Sequence, residues 1–243
     1  MAKGMASTGI KKSIFAWSVG VALQWDVNQS FWYKIKLGIA RKLVFSKVKL
    51  ALGLENIKGV PSGSAALQAR LARFFCGAGI VVKEGYGLTE TSPVISVNTT
   101  RTPNMYRVGT VGKPINHVQV KIAEDGEILC KGPNVMMGYY KAPELTAEVL
   151  KDGWFHTGDI GEFRDGFLAI TDRKKEIFKT SGGKYVAPQV IENVLKESLY
   201  IEQCMVVGEN KNFPSALIVA DLVGFKLWAQ RHNVKLGTDE EIL

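Results

Sequence analysis

The sequence contains 243 residues, which is long enough to bury a sizeable hydrophobic core, and its composition is ordinary for a globular protein with a formal net charge of +8. Three cysteines and three histidines are scattered without a C-x-x-C pair, which argues against a disulfide framework or a zinc site. We expect Cys76, Cys130 and Cys204 to be buried structural thiols in a reducing, cytoplasmic compartment.

The positive charge is concentrated at the N-terminal end of the sequence. Residues 1–50 contain nine Lys or Arg residues against one acid, Asp26, which accounts for the whole net charge. Large apolar residues of the same segment have the spacing of one helix face: Trp32, Ile35, Ile39 and Leu43. Two interpretations of this amphipathic helix stay open. Residues 11–50 make a peripheral contact with an anionic membrane, or the apolar stripe packs on its own domain and the lysines face solvent.

No nucleic-acid-binding motif accompanies this charge, so nucleic acid is not an expected partner.

The segments that follow the basic region predict a strand–loop–helix–strand order. "NIKGVPSGSAAL" reads as a short strand and a small-residue loop, "QARLARFFCGAG" as a helix ended by glycine, and "IVVKEGYG" as a buried strand. This order indicates an α/β layer.

After Pro103 the pattern becomes that of β-hairpins. "VQVKIAEDGEILCKG" and "GWFHTGDIGEFRDGFLAITDR" each carry an Asp-Gly turn, which predicts a small β-barrel or sandwich. Beyond the charged junction "DRKKEIFKTSGGK", two helical segments and two apolar strands, "IEQCMVVGE" and "SALIVADL", predict a small α+β unit with buried strands. The predicted fold class is therefore α/β followed by α+β.

The stretch "EGYGLTETSPV" contains the first residues that suggest a chemical function. Gly85 and Gly87 let the backbone approach a ligand, and Tyr86 between them can stack on a planar base. Thr89 offers a hydroxyl to a phosphate oxygen, and Glu90 offers a hard oxygen ligand that suits Mg²⁺. Together these roles describe a nucleotide site, and the alternative is a turn with a buried tyrosine.

Two later stretches favour the nucleotide interpretation. "DGWFHTGDIGEF" predicts Asp159 in a tight turn, where its carboxylate can accept both hydroxyls of a ribose. Arg173 follows in "TDRKKE" and can bind ribose or phosphate oxygens. "TSGGK" is not a phosphate-binding P-loop, because the first glycine of that motif is missing.

"GYGLTE", "GWFHTGD" and "DRKKE…SGGKYV" occur in an order and spacing that resemble the AMP-forming acyl-CoA synthetase (adenylate-forming) superfamily, and more narrowly the long-chain fatty acid–CoA ligases. The resemblance covers nearly the whole chain. It implies two steps: a fatty acid carboxylate attacks the α-phosphate of ATP to give acyl-AMP, and CoA then displaces AMP. Such chemistry depends on positioning and charge stabilisation, which suits residues that hold ligands.

The resemblance assigns the adenine and phosphate contacts. It implies that Tyr86 stacks on adenine, Thr89 binds the α-phosphate and Glu90 holds Mg²⁺. The small-residue adenine loop of the family matches Ser64, Ala65 and Ala66. That family loop usually begins Gly-Ala-Pro, so Ser64 and Ala66 depart from it and its backbone geometry is less defined.

The resemblance also assigns ribose and CoA contacts. Asp159 and Arg173 match the ribose-binding pair, and Gly182, Gly183 and Lys184 match the loop that approaches CoA.

The domain boundaries follow from the same resemblance. Lys175 matches the hinge about which the small domain of the family rotates between the two steps. Residues 1–172 would be the C-terminal part of the AMP-binding large domain, residues 173–175 the hinge, and residues 176–243 an incomplete small domain.

Two catalytic elements of the family have no match in this sequence. These are the Ser/Thr/Gly-rich phosphate loop upstream of "GYGLTE" and the catalytic Lys near the C-terminus. A capping-box pattern at Thr238 and Glu241 also predicts a helix that begins at the end of the sequence. We therefore expect a fragment of a ligase that is inactive by itself. Two alternatives stay open: another adenylate-forming enzyme, such as an aryl-CoA ligase or a peptide-synthetase adenylation domain, or a non-catalytic remnant that binds nucleotide or membrane.

Overall fold

The computed structural model of the protein describes residues 9–100, 103–198 and 200–238. They belong to two compact units, one within residues 1–157 and 162–170 and the other within residues 158–161 and 171–243. The predicted boundaries at residues 172 and 176 remain a prediction, and the helix predicted from Thr238 onward falls mostly on residues 239–243, outside the described ranges.

The N-terminal basic segment is helical. Ser30 caps the second helix, because its Oγ accepts a hydrogen bond from the Tyr33 backbone N–H at 3.3 Å. The helical elements are α1 Ile10–Leu23, α2 Phe31–Ala40, a π-helix Arg41–Phe45 and α3 Ser46–Ala51.

A four-stranded sheet and a helix follow, as the predicted α/β layer requires. Strands β1 and β2 are parallel, whereas β2–β3 and β3–β4 are antiparallel, in the order β1-β2-β3-β4. A 3₁₀ turn, Thr89–Thr91, separates β2 from β3, and a second one, Pro103–Met105, follows β3. The bounds are β1 Val60–Ser62, α4 Ala69–Gly77, β2 Val82–Gly87, β3 Val94–Val97 and β4 Lys113–Pro114.

The two predicted hairpins are confirmed and lie in a second sheet. Its strand order is β5-β6-β8-β7, with β9 paired to β8. The pairing of the described strands gives an open sheet with no closed barrel, which corrects the predicted small β-barrel. The bounds are β5 Gln119–Ile122, β6 Glu127–Lys131, α5 Pro143–Val149, β7 Leu150–Lys151, β8 Trp154–Arg164 and β9 Phe167–Arg173.

The second unit continues with two small hairpins and two helices. The prediction that the strands β12, Ile201–Val207, and β13, Ser215–Ala220, are buried is wrong, because Met205, Leu217 and Val219 are all exposed. The antiparallel β12–β13 pair is a two-stranded ribbon, and helix α6, Pro188–Leu195, packs against β12. A ribbon this narrow leaves most of its apolar surface in contact with solvent. The bounds are β10 Phe178–Lys179, β11 Tyr185–Val186, α6 Pro188–Leu195, β12 Ile201–Val207, β13 Ser215–Ala220 and α7 Leu222–His232.

The apolar stripe of α2 does not pack on its own domain. Trp32 is 72 % exposed, and the other stripe residues are exposed as well. The side of the helix that packs carries Leu37, Ala40 and, in the π-helix, Phe45, all of which are buried. The packed-stripe interpretation is therefore wrong for these residues, although the helix is amphipathic as predicted. Trp25 is buried in the core of the first unit.

Helices α1 and α4 approach each other closely at a glycine. A Cβ atom placed on Gly77 would lie 2.6 Å from both the Cα and the carbonyl oxygen of Ala22. Real Cβ atoms do not come this close to backbone, so position 77 has to be glycine for these helices to pack as they do. Ala22 is fully buried at the same contact.

We predict that Gly77→Ala lowers the free energy of unfolding by about 1–3 kcal/mol, because the added methyl overpacks the α1–α4 contact. Urea titration followed by circular dichroism measures this change. Gly38→Ala is the matched control, since Gly38 lies in α2 with no heavy atom within 4 Å of its ideal Cβ. That control should be neutral or stabilising by up to about 1 kcal/mol. Equal destabilisation by both changes would contradict the close approach.

Candidate functional site

The small-residue loop lies beside the glycine–tyrosine motif in the first unit. The parallel pairing of β1 and β2 places Ser62 opposite Glu84, so the loop that follows β1 runs alongside the end of β2. An ideal Cβ on Gly63 would lie 3.4 Å from the carbonyl oxygen of Gly85. Residues Ser64, Ala65 and Ala66 are exposed, and Ser64 has a left-handed φ of 68°. The structure thus brings together two predicted parts of the nucleotide site.

The two glycines of the motif have different roles in the fold. A Cβ on Gly87 would lie 1.6 Å from the carbonyl oxygen of Pro93, so only glycine fits there. At Gly85 the nearest atom to an ideal Cβ is the carbonyl oxygen of Ser96, at an ordinary 3.5 Å. Gly87 is therefore required by the approach of the protein's own backbone, whatever ligand binds nearby.

Tyr86 is buried, with 8 % of its surface exposed, and belongs to the core cluster that contains Ile95 and Val111. This is the burial that the alternative interpretation of the motif describes. The contact of Tyr86 with adenine stays a prediction.

Thr89 and Glu90 lie in the 3₁₀ turn after β2, Thr89 exposed and Glu90 partly buried. The Glu90 carboxylate accepts a hydrogen bond from the Tyr139 hydroxyl at 2.9 Å, and the Glu90 carbonyl accepts one from the Met136 N–H at 2.8 Å. Burial, together with the neighbouring Glu90 carboxylate, raises the pKa of Tyr139. Sequence reasoning missed Tyr139, because a contact over 49 residues leaves no local pattern.

Glu84 is a second residue that sequence reasoning missed. Only 7 % of its surface is exposed, although it carries a carboxyl group. Its Oε1 accepts a hydrogen bond from the Leu67 N–H at 3.2 Å. Burial raises the pKa of Glu84 to about 7. The sequence shows an acidic residue two positions before Tyr86 in a predicted strand, but it does not reveal which face of that strand is covered.

In the second unit, Asp159 and Arg173 meet as predicted, although their setting differs. Asp159 lies within strand β8 rather than in a tight turn, which corrects the prediction. Gly158 adopts a φ of 73° without ending the strand, and its carbonyl accepts a hydrogen bond from the Lys174 N–H. Asp159 Oδ1 lies 3.5 Å from Arg173 Nε, and the Asp159 side chain is 9 % exposed. The buried carboxylate is thus oriented beside an exposed guanidinium.

Asp172, the residue before Arg173, is fully buried. Its Oδ1 accepts a hydrogen bond from the Arg173 N–H at 2.6 Å, and its Oδ2 has no hydrogen-bond partner among the described residues. Burial raises the pKa of Asp172. This carboxyl group fixes the backbone at the point where Arg173 leaves β9.

The remaining predicted residues of the second unit lie in two exposed turns. Lys175 is in the turn after β9. Gly182, Gly183 and Lys184 form the turn between β10 and β11, where the Gly183 N–H donates to the Thr180 carbonyl at 2.9 Å. Gly183 has a φ of 77°, the left-handed region that favours glycine. The two turns are accessible to ligands, and their predicted roles stay predictions.

Comparisons with known proteins identify relatives of both units. The AMP-binding enzyme family matches residues 25–140, and the AMP-binding enzyme C-terminal domain matches residues 175–228. The Long-chain-fatty-acid–CoA ligase FadD15 of Mycobacterium bovis is 41 % identical over 238 residues, which cover 96 % of this chain and 39 % of FadD15. Long-chain-fatty-acid–CoA ligase 5 of Rattus norvegicus is 40 % identical over 216 residues, 83 % of this chain and 31 % of that ligase.

A solved structure supports the same relationship. The O-succinylbenzoate Coenzyme A Synthetase (MenE) of Bacillus subtilis in complex with AMP superposes with a TM-score of 0.61 at 26 % identity, covering 77 % of this chain and 38 % of MenE. The chain therefore spans well under half the length of these proteins.

We predict that Gly87→Ala destabilises the first unit by about 3 kcal/mol or more, because the new methyl would overlap the Pro93 carbonyl. Gly85→Ala is the matched control from the same strand, and it should change the free energy of unfolding by less than about 1 kcal/mol. Both values come from urea titrations at one pH. A Gly87→Ala protein as stable as the control would show that the motif glycine is not required by the fold.

Proposed function

We propose that this chain, which belongs to the AMP-binding, adenylate-forming enzyme family, is the part of an AMP-forming long-chain fatty acid–CoA ligase that binds the nucleotide and approaches CoA. The observation that carries the proposal is the 41 % identity to a long-chain fatty acid–CoA ligase over 96 % of this chain, including all three ordered motifs. The reaction proposed for the whole enzyme joins a fatty acid to CoA through acyl-AMP, with ATP as the activating substrate.

In this proposal the first unit holds the adenine and the phosphates. The loop Ser64–Ala66 and the end of β2 form one exposed edge, on which an adenine ring can lie against backbone and against the accessible part of Tyr86. Thr89, exposed at the start of the 3₁₀ turn, donates its hydroxyl to an α-phosphate oxygen. None of these groups needs to become a nucleophile, since the substrates themselves react.

Glu90 fits the role of a magnesium ligand. Mg²⁺ in nucleotide sites is held by one or two carboxylates together with phosphate oxygens, and Glu90 supplies one partly buried carboxylate. The Tyr139 hydroxyl donates to Oε1 and so fixes the direction of that carboxylate. When bound there, Mg²⁺ would neutralise charge on the phosphates.

In the second unit we assign the ribose to Asp159. The buried Asp159 carboxyl group, with the Arg173 guanidinium 3.5 Å away, can accept hydrogen bonds from two ribose hydroxyls. Lys175 is proposed as the hinge, because it lies in the exposed turn two residues after Arg173. The exposed turn Gly182–Lys184 is proposed to approach CoA, whose phosphates would attract a lysine.

The similarity to MenE keeps a different acid substrate open as an alternative, since MenE is an O-succinylbenzoate CoA synthetase. The long-chain interpretation is favoured because the ligases that align over 83–96 % of this chain, at 40–41 % identity, are described as acting on long-chain fatty acids.

We predict that Asp159→Ala weakens AMP binding about ten- to a hundredfold, because a hydrogen bond to a charged group contributes about 1.5–3 kcal/mol. Isothermal titration of the purified chain with AMP measures the affinity. Glu162→Ala is the matched control, since Glu162 lies on the same strand in an exposed pair with Arg164. AMP binding that is unchanged in a folded Asp159→Ala protein would contradict the ribose assignment, and absence of binding to the unaltered chain would contradict the nucleotide site.

We further propose that the ligase, in the cytoplasm, makes a peripheral membrane contact through part of residues 11–50. The exposed stripe of α2 and the π-helix lies among four exposed lysines that form no ion pair among the described residues: Lys34, Lys36, Lys42 and Lys47. Arg41 is not available to lipid, because it donates to the carbonyls of Cys76 and Gly77. A cavity of about 520 Å³ beside the stripe is lined by Trp17, Trp32 and Lys36, among others.

Aromatic side chains and lysines in this arrangement suit the interface of an anionic bilayer. No helix within the described ranges combines the length and apolar character needed to cross a bilayer.

We predict that the chain binds vesicles containing phosphatidylserine more tightly than neutral vesicles, and that salt weakens this binding. The double change Lys36→Glu and Lys42→Glu should lower the partition coefficient about thirtyfold or more, since each cation contributes about 1 kcal/mol near an anionic surface. Lys211→Glu with Lys235→Glu is the charge-matched control on exposed positions of the second unit. Vesicle sedimentation that shows equal losses in both double variants would contradict the proposed face.

A further inference from the structure

Strand β2 buries three side chains on one face, and the middle one carries a carboxyl group. Val82 belongs to the cluster that contains Trp25 and Leu37, and Tyr86 belongs to the cluster around Ile95. Glu84 lies between them in the alternating pattern, with 7 % of its surface exposed. A carboxyl group at the junction of two apolar clusters is costly to bury, and it persists where it makes a specific hydrogen bond.

The hydrogen bond of Glu84 connects β2 to the small-residue loop. Its Oε1 accepts from the Leu67 N–H at 3.2 Å, one residue after Ala66. The Glu84 backbone is held separately, because its carbonyl accepts from the Asn98 N–H at 2.8 Å. The side chain thus links the strand that carries Tyr86 to the loop Ser64–Ala66.

The groups that face the Glu84 carboxyl are uncharged at neutral pH. Burial raises the pKa of Tyr106, a charge on the nearby Glu84 raises it further, and the Tyr106 hydroxyl donates to the Val82 carbonyl at 2.8 Å. Cys76 is buried next to Tyr106, with Sγ 3.4 Å from the tyrosine oxygen, and burial raises its pKa. No ion pair among the described residues includes Glu84, and no cation compensates its charge there.

We propose that Glu84 is a positioning residue, whose carboxyl group holds the loop Ser64–Leu67 against β2 and so keeps the adenine edge in place beside Tyr86. The last part of this proposal rests on the nucleotide site proposed above, whereas the link between loop and strand does not. Glu84 touches no reacting atom and acts through the backbone that it holds.

The direction of the pH dependence follows from burial. The pKa of Glu84 rises from 4.5 to about 7 in the folded chain, so between these values the folded state binds a proton that the opened state releases. The stabilisation of the closed loop is fully present below pH 4.5 and is lost as the pH rises towards 7. Above pH 7 both states are ionised, and the loop opens with a constant, higher probability.

Hydrogen exchange at the Leu67 amide tests the link without any ligand. In the unaltered chain, the protection factor of this amide, corrected for its intrinsic exchange rate, should fall about ten- to a hundredfold between pH 5 and pH 7. Glu84→Gln should remove this pH dependence and keep the protection high, because the amide oxygen accepts the same hydrogen bond and does not titrate. Glu84→Leu should lose the protection at every pH, since it fills the space without an acceptor.

Glu124→Gln is the control, because Glu124 is exposed and its change should leave the pH profile of Leu67 protection as it is in the unaltered chain.

AMP titration at pH 5.5 then tests the positioning role. Glu84→Gln should bind AMP as tightly as the unaltered chain does, and Glu84→Leu should bind AMP at least about tenfold more weakly. A pH profile that survives in Glu84→Gln, or equal Leu67 protection in the Gln and Leu variants, would overturn the link. Equal AMP affinity of all three proteins would overturn the positioning role, whereas binding of AMP by none would refute the proposed nucleotide site and leave the Leu67 result to decide the link.

Discussion

The first unit depends on the burial of one face of β2. Val82 and Tyr86 enter two different hydrophobic clusters from the same strand, so the strand joins the helical part of the unit to its β part. The tight approach of Gly87 to the Pro93 carbonyl then turns the chain sharply into the segment that carries Thr89 and Glu90. Because the strand is fixed at both ends by packing, the groups that follow it are held at defined positions.

Buried carboxyl groups recur around the predicted ligand-binding residues. Glu84 accepts a hydrogen bond from the loop that is predicted to contact adenine, Asp159 faces Arg173, and Asp172 is buried immediately before that arginine. Burial favours the neutral form of an acid, while hydrogen bonds from backbone N–H groups or a nearby guanidinium favour the charged form. Asp159 has a cationic neighbour and Glu84 has none among the described residues, so the two acids suit different tasks. The Asp159 carboxyl group is suited to accept hydrogen bonds from a ligand, and the Glu84 carboxyl group is suited to hold the backbone.

The helical segment before this core presents two different faces. Leu37, Ala40 and Phe45 pack inward, and Arg41 binds the carbonyls at the end of α4, so one side of the segment is used entirely within the unit. The opposite side leaves large apolar groups and lysines exposed together. An exposed surface that combines large apolar groups with lysines promotes aggregation unless a partner covers it. An anionic membrane suits this surface, because it offers an apolar interior to the apolar groups and negative charge to the lysines.

The sequence by itself determined the features that depend on neighbouring residues: the Asp-Gly hairpins, the order of strands and helices, and the three motifs that identify the family. The pairing of Asp159 with Arg173 was implied by the resemblance to the family, which assigns both residues to one ribose site. Only the tertiary structure decided which face of α2 is covered, that Glu84 and Tyr86 are buried, and that Tyr139 reaches Glu90. Periodicity in a sequence defines the faces of a helix or strand, but burial depends on distant segments that pack against one face and not the other, and no local pattern encodes that choice.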